Sequence, residues 1–413
     1  MACTLENHRR EVSGLLAEKF ASLPAQVLPV ASAQLLGRIT AADLSAALPI
    51  PAFTNSQMDG YAARSADLAQ ASEQHPVSLP LGLTAAAGDP QITLEPGTVS
   101  PVMTGAMIPL GADTVIPVEH SVEGAFGTLV RAGEGTPSGK ATFTAPGPVG
   151  RFIRPAGQDL AAGALVAAAG TRLTPTMIGA MAASGITDVP VVSQPRVLVC
   201  TTGNELGDSE RSGLGAGQIP DANSPMLAAV LRGYGALVDT ERFPDDVSAL
   251  HDALLKTAAD FDLIITVGGI SAGAYEVVKD TLAPMGADFH SVAMQPGGPQ
   301  GLGSIGSTPV LCFPGNPVSS FLSLELFLAP VLRAVAGMPE PLPERAELAQ
   351  SVASPANKHQ VRRAMLQDGK IHVLDPGSHM VHDLARADAL VHIPVGTEEL
   401  AAGSMIEFWR MHV

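Results

Sequence analysis

Three short apolar runs, RVLVC (196–200), DLIITV (262–267) and PVLCF (309–313), each stop at a glycine-bearing loop that opens a helical pattern. The loops are TTGNEL (201–206), GGISAG (268–273) and PGNPVSS (314–320). Apolar runs alternating with amphipathic stretches (224–232, then ALVDTERF and DDVSALHDALLKTAADF) specify βαβ units and a parallel sheet covered on both faces. Such sheets bind ligands at the carboxyl ends of their strands. Glycine lets the backbone come close to a ligand or adopt positive φ, and the N–H groups of the next helical turn attract an anion. One such loop is as readily a tight turn; three at the strand ends of one domain point to an anionic ligand. None is GxGxxG or GxxxxGK[ST], which disfavours a dinucleotide fingerprint and a Walker loop.

The flanking chain has other textures. Residues 1–54 open with apolar positions at helical spacing, followed by PVASAQLLGRITAADLSAALPIPAF, a helical piece closed by prolines. Residues 55–150 hold short β-type runs (PVSLPLGL, GTVSPVMTG, DTVIPVEH, GTLVRA) broken by Gly and Pro, as in a small β-rich domain. Residues 151–194 read as extended pieces and a helix opening at Thr174-Pro175. If 151–194 packs beside 1–54, the β-rich piece is an insertion. After 338 the runs PEPLPERAEL, QVRRAML, KIHVLDPG and ALVHIPVG suggest a C-terminal β-domain. GSHM (377–380) resembles an expression scar, but the chain continues with LARADALVHIPVG, so it is read as native.

Composition removes several function classes. A chain of 413 residues suggests about three domains, and its 15% charged and 46% hydrophobic residues supply enough apolar surface to exclude disorder. A net charge of −16 argues against nucleic acid and against a polybasic membrane-surface protein. The apolar stretches 161–170 and 322–337 fall short of the ~20 residues of a membrane span or are interrupted, and the N-terminus lacks an apolar signal region. Cys3, Cys200 and Cys312 are distant singletons, neither a disulfide framework nor a CxxC pair, which fits a reducing, cytoplasmic compartment. Cys200 and Cys312 end apolar runs and read as core residues.

Carboxylates gather in or near the loops: Glu205, Asp221, Asp245, Asp246, Glu276 and Asp280. Beside a phosphate they suit Mg²⁺, a hard cation; equally, Asp245-Asp246 would cap the helix DVSALHDALL. No HExxH, GxSxG or Ser-His-Asp pattern stands out. In NSQMDGYA (55–62) the Asp-Gly pair reads as a turn.

NSQMDGYA, MTGAMIPLGADTVIPVE (103–119), TTGNELG, DANSPML (221–227), GGISAG and PGNPVS, in this order, resemble the molybdopterin molybdenumtransferase family, which includes bacterial MoeA and the E domain of gephyrin. The resemblance spans essentially the whole chain. It implies an α/β multi-domain fold: a base or dimerisation domain from 1–54 and 151–194 of mixed α+β type, an inserted β-rich domain at 55–150, a molybdopterin-binding α/β domain at 195–338 and a C-terminal β-domain at 339–413. It further implies a homodimer that transfers molybdenum from molybdate into adenylylated molybdopterin with Mg²⁺, releasing AMP. The molybdopterin adenylyltransferase follows as a candidate partner.

Residue by residue, the family's pterin-nucleotide pocket falls on Gly203, Asn204, Glu205, Asp221, Asn223, Gly268, Gly269, Ser271 and Gly273, continued by Pro314, Gly315, Asn316 and Pro317. Asp245 and Glu276 match acidic positions tied to activity and metal; Glu276 replaces the commoner Asp. Asp59, Thr104 and Asp159 match catalytic positions outside the α/β domain, and in the family the inserted domain faces the partner subunit's cleft. Pro299, Ser319, Arg363 and Ser378 fall where the family grips molybdate. The family's KPGKP is here QPGGP, with Gln295 and Gly298 in place of the lysines; Asn204 stands where Asp is common, and Val267 where a small hydroxyl residue is common. Two other readings fit parts of the pattern: a paralogue acting as a pterin-binding or scaffolding homodimer, which the missing lysines favour, and molybdopterin adenylylation, whose enzymes lack NSQMDGYA and the C-terminal domain.

Overall fold

A computed structural model describes residues 3–207, 214–271, 273 and 276–411. They form two compact units, 1–26 with 192–413, and 27–191.

The first unit is built on a six-stranded sheet in the order 237–243, 196–202, 263–267, 308–313, 299–305, 288–291. The first four strands are parallel, with Val197 beside Leu263 and Ile264 beside Val310. Alternation along each strand divides the core. Val197, Val199, Leu263, Ile265, Leu311 and Phe313 face one apolar cluster, while Leu198, Cys200, Ile264, Val310 and Cys312 face another. The strands are thus covered on both faces, as their unbroken apolar runs require. Cys200 and Cys312 are fully buried core residues, and burial pushes both thiols up, Cys312 to about 12.

The expectation of a wholly parallel sheet is corrected at one edge. Strands 299–305 and 288–291 run antiparallel to their neighbours. The segment PQGLGSI lacks a strand signal because two of its residues are glycines, and tertiary contact explains them. A Cβ on Gly301 would stand 2.6 Å from the Phe289 ring, and one on Gly303 2.8 Å from Ala287. Glycine inside a strand marks such close approach.

Helix Leu5–Ala21, capped by Thr4, buries His8, Val12, Leu16 and Phe20, one residue per turn, against this sheet. A continuous helical run, Pro317–Val335, also lies in the core. It is long and apolar enough by length and composition to cross a membrane, and 67% of its most apolar window is buried inside the fold. Sequence reading takes 322–337 as too short or too interrupted to span a membrane; in the structure the stretch belongs to a longer helical run that begins at Pro317. A π-helical turn, Leu324–Leu328, precedes the proline, whose missing N–H would otherwise break the α ladder. Glu325 accepts hydrogen bonds from Tyr234 Oη at 2.8 Å and Arg333 at 3.1 Å.

The C-terminal strands close on themselves. Strand 359–367 pairs with 370–373, which pairs with 344–348, then 405–410, then 389–393, which returns to 359–367. Closure removes the sheet edges. Met294–Gln295, arriving from the α/β layer, adds a short parallel pairing onto 359–367.

In the second unit, Gly60–Ala63 is the central strand between Ser100–Val102 and Thr114–Pro117. Gly60 begins this strand because a Cβ there would lie 2.1 Å from the Ile116 carbonyl oxygen. Leu35, Leu44, Ala167, Leu173, Met181, Ile186, Val189 and Val191 share one core, while residues from 61 to 143 supply others. The helical piece expected after Val30 is replaced by a single 3₁₀ turn, Ala33–Leu35. Backbone bonds to the 160s and 170s, Gly37 N–H to Leu173 and Thr40 N–H to Thr171, override the local preference. The helix expected at Thr174-Pro175 forms as Pro175–Ala183, with Thr174 as its cap.

Candidate functional site

The three glycine loops meet at the carboxyl ends of adjacent strands. Gly268 (φ +96°) closes on the first loop, where a Cβ would lie 3.1 Å from the Thr202 carbonyl oxygen, and a Cβ on Gly315 would stand 3.3 Å from Gly268 Cα. Gly203 (φ +137°) and Gly269 (φ +62°) also take positive φ. The result is a floor of bare backbone shared by all three loops, held by glycine where side chains would collide.

One side of this floor is acidic. Asp245 Oδ2 accepts the Asn204 N–H at 2.9 Å, reaching from the start of one helix to the first loop, where Glu205 is exposed. Its neighbour Asp246 accepts the Ala249 N–H at 2.7 Å and is the cap of helix Val247–Thr257. The two explanations of this pair are therefore divided between its members. Glu276 folds onto its own loop, its carboxylate accepting N–H groups from Ser271 at 2.7 Å and Gly273 at 2.8 Å. Those two N–H groups were expected to face an anion; here a carboxylate of the same loop takes them. Asp280 lies exposed within the short helix Val277–Leu282.

Asp221 is more committed than its motif suggests. It accepts the N–H groups of Asn223 and Ser224 at 2.9 and 3.1 Å, and the hydroxyls of Thr201 and Ser224 at 2.9 and 2.5 Å. It thereby caps helix Asn223–Gly233 and ties that helix to the end of strand 196–202. Sequence reasoning missed Thr201 and Ser224, although an Asp three residues before a Ser at a helix start is a capping signal. Asn223, 8% exposed, donates to the Gly315 carbonyl at 2.7 Å and accepts from Ser320 at 2.9 Å. It fastens the third loop to the second helix.

The opposite side is neutral and clamped by the barrel. Asn316 donates to Ser378 Oγ at 2.9 Å, and the Val318 N–H donates to the Ser378 carbonyl at 3.1 Å. Ser319 is buried in the first turn of helix Pro317–Ser323, with Pro314 buried just before it. Arg363, 2% exposed, donates to the carbonyls of Asp375, Gly377 and Met380, and burial pulls its guanidinium down from its ordinary value. Its mapped role was an anion grip. In the structure it holds the 375–380 turn that presents Ser378, and its partners are carbonyls no spacing rule could identify.

The QPGGP segment answers a steric question. Gly297 has φ +90°, but Gly298 is outside the left-handed region. A Cβ on Gly298 would point at the Val292 and Met294 carbonyls and Ser291 Oγ, at 3.3–3.5 Å. Gln295 Oε1 accepts from Gln360 at 3.3 Å, and Pro299 begins the 299–305 strand.

Within the 27–191 unit, Asp59 and Thr104, 45 residues apart, come together. Asp59 Oδ1 accepts the Thr104 N–H at 2.6 Å and its hydroxyl at 2.7 Å, and these bonds hold the carboxyl below its ordinary range. Both residues are exposed. Asp159 is exposed on a turn whose N–H donates to Ile50 O; among the described residues no hydrogen bond joins it to the Asp59–Thr104 pair.

Comparison with known proteins agrees with this arrangement. Residues 4–185 match the MoeA N-terminal region (domain I and II), 198–334 a probable molybdopterin binding domain, and 345–411 the MoeA C-terminal region (domain IV). The chain is 41% identical to molybdopterin molybdenumtransferase 2 of Mycobacterium tuberculosis, over 99% of each chain. It is 33% identical to the molybdopterin molybdenumtransferase of Synechococcus elongatus, over 95% of this chain and 96% of that one. A crystal structure of the molybdopterin biosynthesis MoeA protein from Pyrococcus horikoshii superposes with TM-score 0.81 at 27% identity, covering 99% of each chain.

Proposed function

Because the chain belongs to the molybdopterin molybdenumtransferase (MoeA) family, we propose that it is the transferase of molybdenum cofactor biosynthesis that takes molybdenum from molybdate into adenylylated molybdopterin and releases AMP. The observation that carries this reading is the shared floor of Gly203, Gly268, Gly269 and Gly315, flanked by carboxylates on one side and by the Asn316–Ser378 contact on the other.

Each side suits one part of the substrate. Backbone approach at the glycines accommodates the pterin nucleotide, and Asn223 holds the third loop against helix Asn223–Gly233 for it. Asp245, Glu276 and Glu205 suit a hard cation because they offer only oxygen donors; Asp245 is bonded to the loop that carries Glu205. Mg²⁺ held there would supply positive charge to the diphosphate. Glu276 must first release the Ser271 and Gly273 N–H groups, which then become free to donate to phosphate oxygens. Ser378 Oγ accepts from Asn316, so its own proton can be donated to an oxyanion such as molybdate, with Ser319 and Pro299 as further candidate contacts. Arg363 acts as the positioning residue of that turn.

We further propose a cytoplasmic homodimer in which Asp59 and Thr104 serve the partner subunit's cleft, and an adenylyltransferase that hands over the adenylylated pterin. The hydrogen bonds from Thr104 keep Asp59 ionised and aimed outward, which supports a role beyond its own unit. The test is AMP release from adenylylated molybdopterin with molybdate and Mg²⁺. Asp59→Asn and Glu276→Gln homodimers should both be inactive, and mixed dimers should recover one cleft. Binding of the nucleotide without AMP release by the wild type would overturn the transferase reading, and verified heterodimers without recovery would remove the cross-subunit role.

A further inference from the structure

The sequence offers no metal motif around its cysteines, yet the fold gathers one remote from the glycine loops in chain and character. Cys3 stands just before helix Leu5–Ala21, His8 and Glu11 lie one turn apart on that helix, and His290 sits in edge strand Asp288–Ser291. One ligand atom each from Cys3, Glu11 and His290 lie within 4.8 Å of one another. His290 Nε2 is 3.7 Å from Glu11 Oε2 and 3.1 Å from His8 Nδ1, and His8 Nδ1 is 3.6 Å from Glu11 Oε2. Four N, O or S ligands at ~2.0–2.3 Å around a tetrahedral ion stand ~3.3–3.7 Å apart. The His8, Glu11 and His290 separations already match that spacing closely, and the Cys3 thiol, within 4.8 Å of Glu11 and His290, is the ligand that must move in.

Two further observations favour a ligand over a chance cluster. His290 Nδ1 is 2.8 Å from Asp288 Oδ2. A carboxylate at that distance keeps the proton on Nδ1 and leaves the Nε2 lone pair facing Cys3, His8 and Glu11, the outer-shell arrangement typical of metal-bound histidine. Cys3 is also anchored: its carbonyl accepts the Ala293 N–H at 2.8 Å, and it bridges Val292 next to the strand carrying His290. His8 is 1% exposed and packs edge-on against Phe327, with ring centroids 4.5 Å apart, giving the site an apolar wall.

We propose that Cys3, His8, Glu11 and His290 form a site for a divalent transition metal of the zinc type, joining the N-terminal helix to the edge of the α/β sheet. A thiolate, two imidazoles and a carboxylate match zinc and are poor ligands for Mg²⁺. The thiolate and carboxylate charges balance the dication. The site is separate from the proposed transfer chemistry, so it stands or falls independently of that activity.

The test uses the untagged full chain after chelator treatment, with excess Mg²⁺ present to fill all-oxygen sites. Zn²⁺ is titrated against a chromophoric chelator, and Co²⁺ serves as the spectroscopic probe. One equivalent per chain should bind, and cobalt should show a thiolate charge-transfer band. Cys200 and Cys312 are fully buried and cannot supply that band. Cys3→Ser should abolish the band and weaken Zn²⁺ binding at least ~10-fold, the equivalent of ~1.4 kcal/mol. His290→Asn should weaken it similarly, while both variants keep the metal-free melting temperature. Absence of tight Zn²⁺ binding, cobalt binding without the thiolate band, or a band that persists in Cys3→Ser would each overturn the assignment. Should His290→Asn unfold the edge strand, Cys3→Ser alone decides, since it changes one atom at a partly exposed position.

Discussion

The α/β layer and the C-terminal barrel bring opposite kinds of residue to the same site. The α/β layer leaves the carboxylates of its first loop and of the 245–246 pair exposed: Glu205, Asp245 and Asp246 all lie at the surface above the strand ends. The barrel buries two of its arginines: Arg363 spends its guanidinium on three carbonyls, and Arg362 donates to the Leu374 carbonyl while its Nε has no partner among the described residues. An exposed carboxylate remains available to a ligand at little cost to folding. A buried guanidinium is already engaged in holding chain, because an unpaired buried charge is so expensive. Residues with equal claims as site residues in the sequence should therefore behave differently when altered.

The largest contrast is expected at Arg363. Arg363→Met removes the donor to three carbonyls of the 375–380 turn, and at ~0.5–1.5 kcal/mol net per hydrogen bond a loss of about 1.5–4.5 kcal/mol follows. Asp245→Asn, on the exposed side, should change stability by less than ~0.5 kcal/mol. Urea unfolding of both variants measures this, and equal midpoints would break the comparison.

A second consequence is an acid sensitivity that the barrel carries. His392 lies beside His359, 3.1 Å between ring nitrogens, and stacks on Trp409 with centroids 4.1 Å apart. Burial, then His359, then Arg9 push its pKa from 6.5 down to about 3. The folded pKa is below the unfolded one, so the unfolded state takes the proton first. Stability is whole above pH 6.5 and declines as pH falls toward 3, reaching about 3 kcal/mol of loss near pH 4.5 at ~1.4 kcal/mol per unit. Trp409 is the sole tryptophan of the chain, so its emission follows the barrel directly. His392→Asn should flatten the profile, and an unchanged acid limb would place the sensitivity elsewhere.

Within the α/β layer, the Asp245–Asp246 pair sharpens the comparison further. Asp246→Ala removes a helix cap and should cost about 1 kcal/mol without altering the Mg²⁺ concentration needed for AMP release. Asp245→Asn should leave unfolding unchanged and raise that concentration. Reversed phenotypes would exchange the two roles.

The smallest effect is expected at Gly298. The absence of left-handed geometry admits a side chain, but its Cβ direction faces the carbonyls of Val292 and Met294 instead of the Asn316–Ser378 side. Gly298→Lys should lower the molybdate requirement by no more than ~10-fold, or ~1.4 kcal/mol, with Gly298→Ala as the steric control. A larger gain would mean the lysine tip reaches the anion.

Much of the site was legible in the sequence because its signals are local. A glycine after an apolar run, an Asp before a helix and strands apolar on both sides each follow from neighbouring residues. The turn at 375–380 has no physical signature in the string GSHM, and Ser378 entered only through the family resemblance, since its importance comes from Arg363 and Asn316 far away in the chain. The PQGLGSI strand was hidden because its glycines answer to Phe289 and Ala287 across the sheet.

By itself, then, the sequence determined the βαβ core, the gathering of three glycine loops at the strand ends and, through six ordered motifs, the family. Periodicity and loop composition depend on residues a few positions apart, and one chain displays them fully. Only the tertiary structure decided which of Asp245 and Asp246 caps a helix, that Arg363 clamps a turn, that five of the C-terminal strands close into a barrel, and that Cys3, His8 and Glu11 meet His290. Each of these depends on a hydrogen-bond partner or a close approach supplied from elsewhere in the chain, and a directional contact of about 3 Å exists only once the packed layers have fixed where both groups lie.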